Sequence, residues 1–164
     1  NKWPAHEAAF FKFNPNKCAF LSDEAIDALA RDPGIIRNRT KIAAVRDNAA
    51  FLVKLAKQHG GAARFFADWP QADLVGLLEL FGKQASRLSG NTAQYVLRSM
   101  GKDSFVLTQD VCAALIREAV VSKKPSSRKD MQAVQAAFNK WQAESGHPFA
   151  HISRILAFTV QARG

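Results

Sequence analysis

The sequence predicts an all-α fold, and three observations carry that expectation. Apolar residues recur at three- and four-residue spacing through nearly the whole chain. Residues that cap or stop helices punctuate the pattern at its breaks. No internal repeat or low-complexity tract interrupts it, and a single short stretch, Ser104-Phe105-Val106-Leu107, reads as extended and buried. With 164 residues the chain is long enough for one domain, burying roughly 70% of its extended surface.

Each element follows from local chemistry. Pro4 suits a first helical position and opens a segment through about Phe13. Ser22 caps a helix whose first turn holds Asp23 and Glu24, and Asp32-Pro33-Gly34 stops it. A longer helix, about Asn38 to His59, carries Ile42, Val45, Ala49, Leu52 and Ala56 on one stripe and ends at Gly60-Gly61. A shorter helix covers Ala62 to Asp68, and Trp69-Pro70 leads into the next. Thr108 is the natural N-cap of a helix with Val111, Ala114, Leu115 and Ala119 inside. Lys123-Lys124-Pro125-Ser126-Ser127-Arg128-Lys129 is the one clear polar linker, and its charge reads as solvation. The last two helices, about Arg128 to Glu144 and Pro148 to Gln161, carry Val134, Ala137, Phe138 and Trp141, then Ile152, Ile155, Leu156 and Phe158, as core stripes.

The middle of the chain holds its most informative stretch. Asp73 to Lys83 carries Leu74, Leu77, Leu78 and Phe81, and Thr92 to Met100 carries Tyr95, Val96 and Met100, each at helical period. Between them Arg87-Leu88-Ser89-Gly90-Asn91-Thr92 is a tight glycine turn, so residues 73–100 read as helix, hairpin, helix. A helix N-terminus behind such a turn presents free N–H groups and a positive dipole end to a phosphate oxygen. An ordinary helix pair with a Gly turn fits the spacing as well.

Twenty-three Lys and Arg against 14 Asp and Glu give a formal charge of +9, which favours a polyanionic partner, either nucleic acid or an anionic membrane surface. No run of 18 apolar residues is present, which excludes a transmembrane helix, and the N-terminus lacks a signal-peptide core. An initiating Met is absent, so the chain is expected to be a fragment or processed product with material upstream. Cys18 and Cys112 form no CxxC unit and read as buried free thiols. His147 and His151 share i, i+4 spacing without Cys or carboxylate partners beyond Glu144, so neither a metal nor a cofactor is expected.

Three ordered stretches resemble the helix-hairpin-helix DNA glycosylase superfamily, and specifically its 3-methyladenine DNA glycosylase I branch. Asp32-Pro33-Gly34-Ile35-Ile36-Arg37-Asn38-Arg39-Thr40-Lys41-Ile42, followed by Asp47-Asn48-Ala49, is similar to that branch's Gly-Ile-Ile-Arg-x-x-x-Lys-Ile pattern and later Asn-Ala. Upstream, Phe10 to Pro15 and Leu21 to Leu29 are similar to its Phe-x-x-Phe-Asp-Pro stretch and following helix. Downstream, Arg87 to Thr92 with Tyr95 resembles its Arg-Phe-Val-Gly-Pro-Thr hairpin and later Tyr. From Phe105 onward the chain resembles the wider superfamily more than the branch.

The resemblance implies a two-lobed, all-helical single domain over 1–164 that kinks duplex DNA, flips a damaged base and replaces it with water at the sugar C1′. Hydrolysis of the N-glycosidic bond of an alkylated purine such as 3-methyladenine, in base-excision repair, is the implied reaction. It also implies a monomer acting on double-stranded DNA, without membrane association, in a bacterial-type cytoplasm. A DNA-binding module without chemistry is the alternative. The expected DNA-binding residues are Lys83, Arg87, Leu88, Ser89, Gly90, Asn91 and Thr92, with Arg37, Arg39 and Lys41 divided between phosphate contact and a structural role.

Two departures narrow the catalytic expectation. The superfamily's catalytic Asp stands at the N-cap of the helix after the hairpin pair, and here that position is Thr108, with Asp110 in the same first turn as the substitute or as a helix-dipole acid. The 3-methyladenine branch does not use that Asp. The branch's zinc-binding Cys and His have no counterparts here, and its base-pocket Glu and aromatics correspond to a segment before Asn1. Trp3 is either a border of that pocket or a packing residue.

Overall fold

In the computed structural model, which describes residues 2–161, helix follows helix from Trp3 to Gln161, with no strand among the described residues. The all-α expectation holds. The chain divides into two compact units, the first running to Asp68 and taking back Gly82–Leu88, the second comprising Trp69–Phe81 and the chain from Ser89 onward.

In the first unit, α1 (Trp3–Ala9) starts with Pro4 in its first turn but stops well short of Phe13. The reason is backbone handedness. Phe11, Lys12 and Phe13 adopt φ of 53, 54 and 54°, a left-handed turn that costs L-residues roughly 1–2 kcal/mol each. Phe13 N–H donates to the Phe10 carbonyl at 2.8 Å, and the Phe13 ring lies 5.1 Å from that of Trp3. A four-residue α2 (Pro15–Cys18), which sequence reasoning misses, begins where the Asn14 side chain accepts from Lys17 N–H.

Ser22 caps α3 (Asp23–Leu29) and Asn38 caps α4 (Arg39–His59), each accepting from the backbone N–H three residues on. Gly60, at φ 70°, stops α4 before α5 (Ala62–Asp68). Phe10, Cys18, Leu21, Ile26, Ile35, Ile42 and Ala49 form the core of this unit. On α4 the buried stripe continues through Phe51 and Leu55, whereas Leu52 is only half-buried and Ala56 is exposed. The Cys18 thiol donates to the Phe10 carbonyl at 3.0 Å, and burial raises its pKa.

The second unit is built around Phe105, Phe138 and Phe149, whose ring centroids are 4.8 to 6.0 Å apart. Around them run α6 (Leu74–Gln84, whose last turn belongs to the first unit), α7 (Asn91–Ser99), α8 (Gln109–Arg117), α9 (Arg128–Ser145) and α10 (Phe149–Gln161). Residues 104–107 are buried, as expected, and belong to neither a helix nor a strand. Side chains satisfy their backbone instead, as buried peptide groups require. Ser153 Oγ accepts from Val106 N–H at 3.2 Å, Gln94 Oε1 from Leu107 N–H at 2.8 Å, and Arg98 donates to the Ser104 carbonyl.

That arrangement corrects two expected faces. The buried residues of α7 are Ala93, Gln94 and Leu97, because Gln94 must turn inward to reach Leu107, and Tyr95 and Met100 are therefore 51% and 49% exposed. On α10, Ser153 turns inward for Val106, so Ile152 and Leu156 are buried while Ile155 and Phe158 stand exposed. Asp103 caps α10 by accepting from Phe149 and Ala150 N–H at 2.7 and 2.9 Å. A reciprocal capping box between Ser127 and Asp130 starts α9. On α8, Ala119 lies beyond the helix, exposed and at φ 57°.

Candidate functional site

The signature 32–48 is built around a loop that several side chains hold in shape. Asp32 Oδ1 accepts from Gly34 N–H at 2.7 Å, and a Cβ on Gly34 would meet that same oxygen at 3.0 Å, which is why glycine stands there. Lys2 Nζ donates to the Pro33 and Ile35 carbonyls at 2.9 and 3.3 Å. His6 Nε2 accepts from Ile36 N–H at 3.2 Å, so a neutral ring carries its proton on Nδ1 and donates it to the Lys2 carbonyl at 2.8 Å. Ile35 is buried beneath, and Ile36 is exposed.

The basic residues of this signature divide by partner. Arg39 Nε donates to Asp27 Oδ1 at 2.6 Å and lies 3.9 Å from Asp23, which ties α4 to α3. Arg46, absent from the sequence expectation, reaches Asp23 at 2.9 Å and the Leu21 carbonyl at 3.3 Å. Its guanidinium lowers the Asp23 pKa, with a smaller contribution from Arg39. Arg37 and Lys41 are exposed and make no ion pair among the described residues. Positive charge at this helix start opposes the dipole. Arg39 recovers that cost through its carboxylates.

Asn48 has a role that periodicity could not reveal. Its Oδ1 accepts from Ser86 N–H at 2.7 Å and its Nδ2 donates to the Ser86 carbonyl at 3.0 Å, both within the first unit. The pair fixes the chain where it leaves α6. Arg87 follows at φ 58°, exposed, and Lys83 lies exposed in the last turn of α6.

Past Leu88 the turn belongs to the second unit. Gly90, at φ 54° and ψ −136°, is the N-cap of α7 without a side-chain cap, in a conformation open essentially to glycine alone. The first turn of α7 thus has no side-chain cap, and an uncapped helix N-terminus suits an anion. Asn91 Nδ2 donates to the Leu107 carbonyl at 2.9 Å, joining the start of α7 to the residue before Thr108. A cavity of about 350 Å³ adjoins this turn, lined by Gly90, Asn91, Leu107, Lys124, Ser126 and Arg128 among others.

Thr108 is the N-cap of α8, its Oγ1 accepting from Val111 N–H at 3.3 Å. It lines a second cavity of about 300 Å³ with Tyr95, Arg98, His151 and Arg154, and no carboxylate is among the lining residues. The hydroxyl is engaged in capping and its surroundings are cationic, an unsuitable place to stabilise a developing sugar cation. Asp110 is half-buried in the first turn of α8 and lines neither cavity. Trp3 is 60% exposed beside Phe13. Among the described residues no cluster of His, Cys, Asp or Glu could hold a metal, and no helix is long and apolar enough to cross a membrane.

Residues 1–75 match the methyladenine glycosylase family. The chain therefore resembles the DNA glycosylases, and the matched stretch contains the Gly34 to Asn48 signature, with α1 to α5. The hairpin turn and Thr108 lie beyond it, as do the lining residues of both cavities apart from Val75. No curated protein and no solved structure matches the chain.

Proposed function

We propose that this chain is a DNA glycosylase that hydrolyses the N-glycosidic bond of an alkylated purine such as 3-methyladenine, a single domain acting as a monomer on duplex DNA in the bacterial-type cytoplasm. The observation that carries the reading is the family match over 1–75, together with the grip of Asn48, inside the matched signature, on the hairpin's Ser86. Lys83, Arg87 and the turn Leu88-Ser89-Gly90-Asn91-Thr92 hold phosphates beside the lesion, offsetting part of the few kcal/mol that unstacking a base costs. Arg37 and Lys41, exposed at the start of α4, add phosphate contacts, while Arg39 braces α3. Alkylation at N3 makes the base a cationic, ready leaving group, so water attacks C1′ with little acid assistance. No Lys stands in the superfamily's Schiff-base position, which makes the enzyme monofunctional. The test is release of free base from duplex DNA carrying 3-methyladenine, and no release alongside normal duplex binding sinks the reading.

The cap position favours a second reading. Thr108 sits where the superfamily has Asp, in a cavity with no carboxylate lining, which suits a DNA-binding protein without chemistry. That reading requires equal affinity for damaged and undamaged duplex and no base release.

A further inference from the structure

We propose that the loop Lys123-Lys124-Pro125-Ser126-Ser127-Arg128-Lys129 is a second contact to the phosphate backbone of duplex DNA, beside the Gly90 turn. The proposal rests on the DNA-binding reading above and adds a surface that neither the sequence motifs nor the family match includes.

Taken alone, the loop is a solvated charge run. The fold gives it a neighbour. Lys124, Ser126 and Arg128 line the same cavity of about 350 Å³ as Gly90 and Asn91, so loop and turn face one space within the second unit. Four of the seven residues are cations and none is an acid, Arg128 and Lys129 standing in the first turn of α9. Their roles differ. Arg128 Nε is 3.2 Å from Glu79 Oε1, so this cation holds the loop against α6. Lys123, Lys124 and Lys129 are exposed and form no ion pair among the described residues.

The nearest acid is also committed. Asp130 Oδ2 accepts from Ser126 and Ser127 N–H at 3.3 and 3.2 Å, while Ser127 Oγ accepts from Asp130 N–H at 3.1 Å. These bonds, with Pro125 and the Glu79 to Arg128 pair, fix the loop backbone before any partner arrives, and a preorganised surface loses less entropy on binding. What remains is a fixed platform of exposed ammonium groups beside a turn without a side-chain cap. Lysine binds phosphate as a point charge without demanding one geometry. A regularly charged backbone passing the turn meets that requirement.

The test is the salt dependence of binding to an undamaged fluorescent duplex. Lys123→Gln with Lys124→Gln is compared with Lys54→Gln and Lys57→Gln on α4, which remove the same charge, and all variants are checked by thermal melting. The expected result is a log-log salt slope reduced by about 2 in the loop variant only, since each lost phosphate contact lowers it by about 0.9. A loop variant with the wild-type slope, or an equal drop in the α4 control, overturns the proposal while Lys83→Ala and Arg87→Ala still report on the hairpin. Displacement of duplex by low inorganic phosphate at constant ionic strength marks a free-anion site and overturns it also. No duplex binding by the wild-type protein removes the DNA reading, and this proposal with it.

Discussion

Asn48 in the middle of α4 holds the backbone of Ser86 by both ends of its carboxamide, at 2.7 and 3.0 Å. One side chain thereby links the signature to the entry of the hairpin. Asn48→Ala leaves a half-buried N–H and C=O unpaired, at roughly 1–3 kcal/mol in total. Urea denaturation of the variant is expected to register that loss, and duplex affinity is expected to fall with it because Arg87 is no longer fixed. Wild-type stability in Asn48→Ala would mean that water replaces the carboxamide.

Gly90 and Gly82 make opposite predictions. At Gly90 nothing lies within 4 Å of an added Cβ, yet φ 54° with ψ −136° is strained for any L side chain. Gly90→Ala should therefore cost about 1–3 kcal/mol. Gly82 lies in α6 with the same open space and no left-handed φ, so Gly82→Ala should stabilise by roughly 0.5–1 kcal/mol. Melting temperatures of the two variants moving the same way would contradict this.

The α9 capping box carries a pH signature. The Ser127 hydroxyl foremost, then the backbone N–H groups of Ser127 and Ser126, lower the Asp130 pKa below the ordinary carboxylate range. A group depressed on folding stabilises fully above its unfolded value, about 3.9, and that contribution disappears as pH falls through the lower folded value. The stability gap between wild type and Asp130→Asn should thus be constant near neutrality and close in acid below about pH 4. A gap that widens on acidification would reverse the sign.

At the start of α8, Thr108→Ala is expected to lose about 1 kcal/mol of stability with the cap while base release persists. Asp110→Asn removes a first-turn acid that the helix dipole favours, and base release is expected to persist in it too. Single-turnover assays decide both. A loss of a hundredfold or more in Asp110→Asn would identify it as catalytic.

Legibility in the sequence followed the range of the interactions. Ser22, Thr108 and Gly60 are readable because a cap or stop is local chemistry between neighbours in the chain. Tyr95 and Met100 stand exposed because the orientation of α7 is set by Gln94 reaching Leu107, a polar contact across a loop that apolar periodicity ignores. The left-handed turn at Phe11 to Phe13 had no signal, since none of its residues favours that conformation. Asn48 stands within the signature motif, but its purpose lies 38 residues away at Ser86. Arg46 escaped notice for the same reason, its carboxylate being on α3.

Cys18 and Cys112 are both buried, with thiol pKa values raised by burial. Thiolate is the reactive form, so neither is a ready target for alkylating reagents. A cysteine introduced on the exposed face of the hairpin can consequently be coupled to a fluorophore or spin label in the otherwise native protein. The two silent thiols make this chain suited to site-directed spectroscopy without first removing its own cysteines.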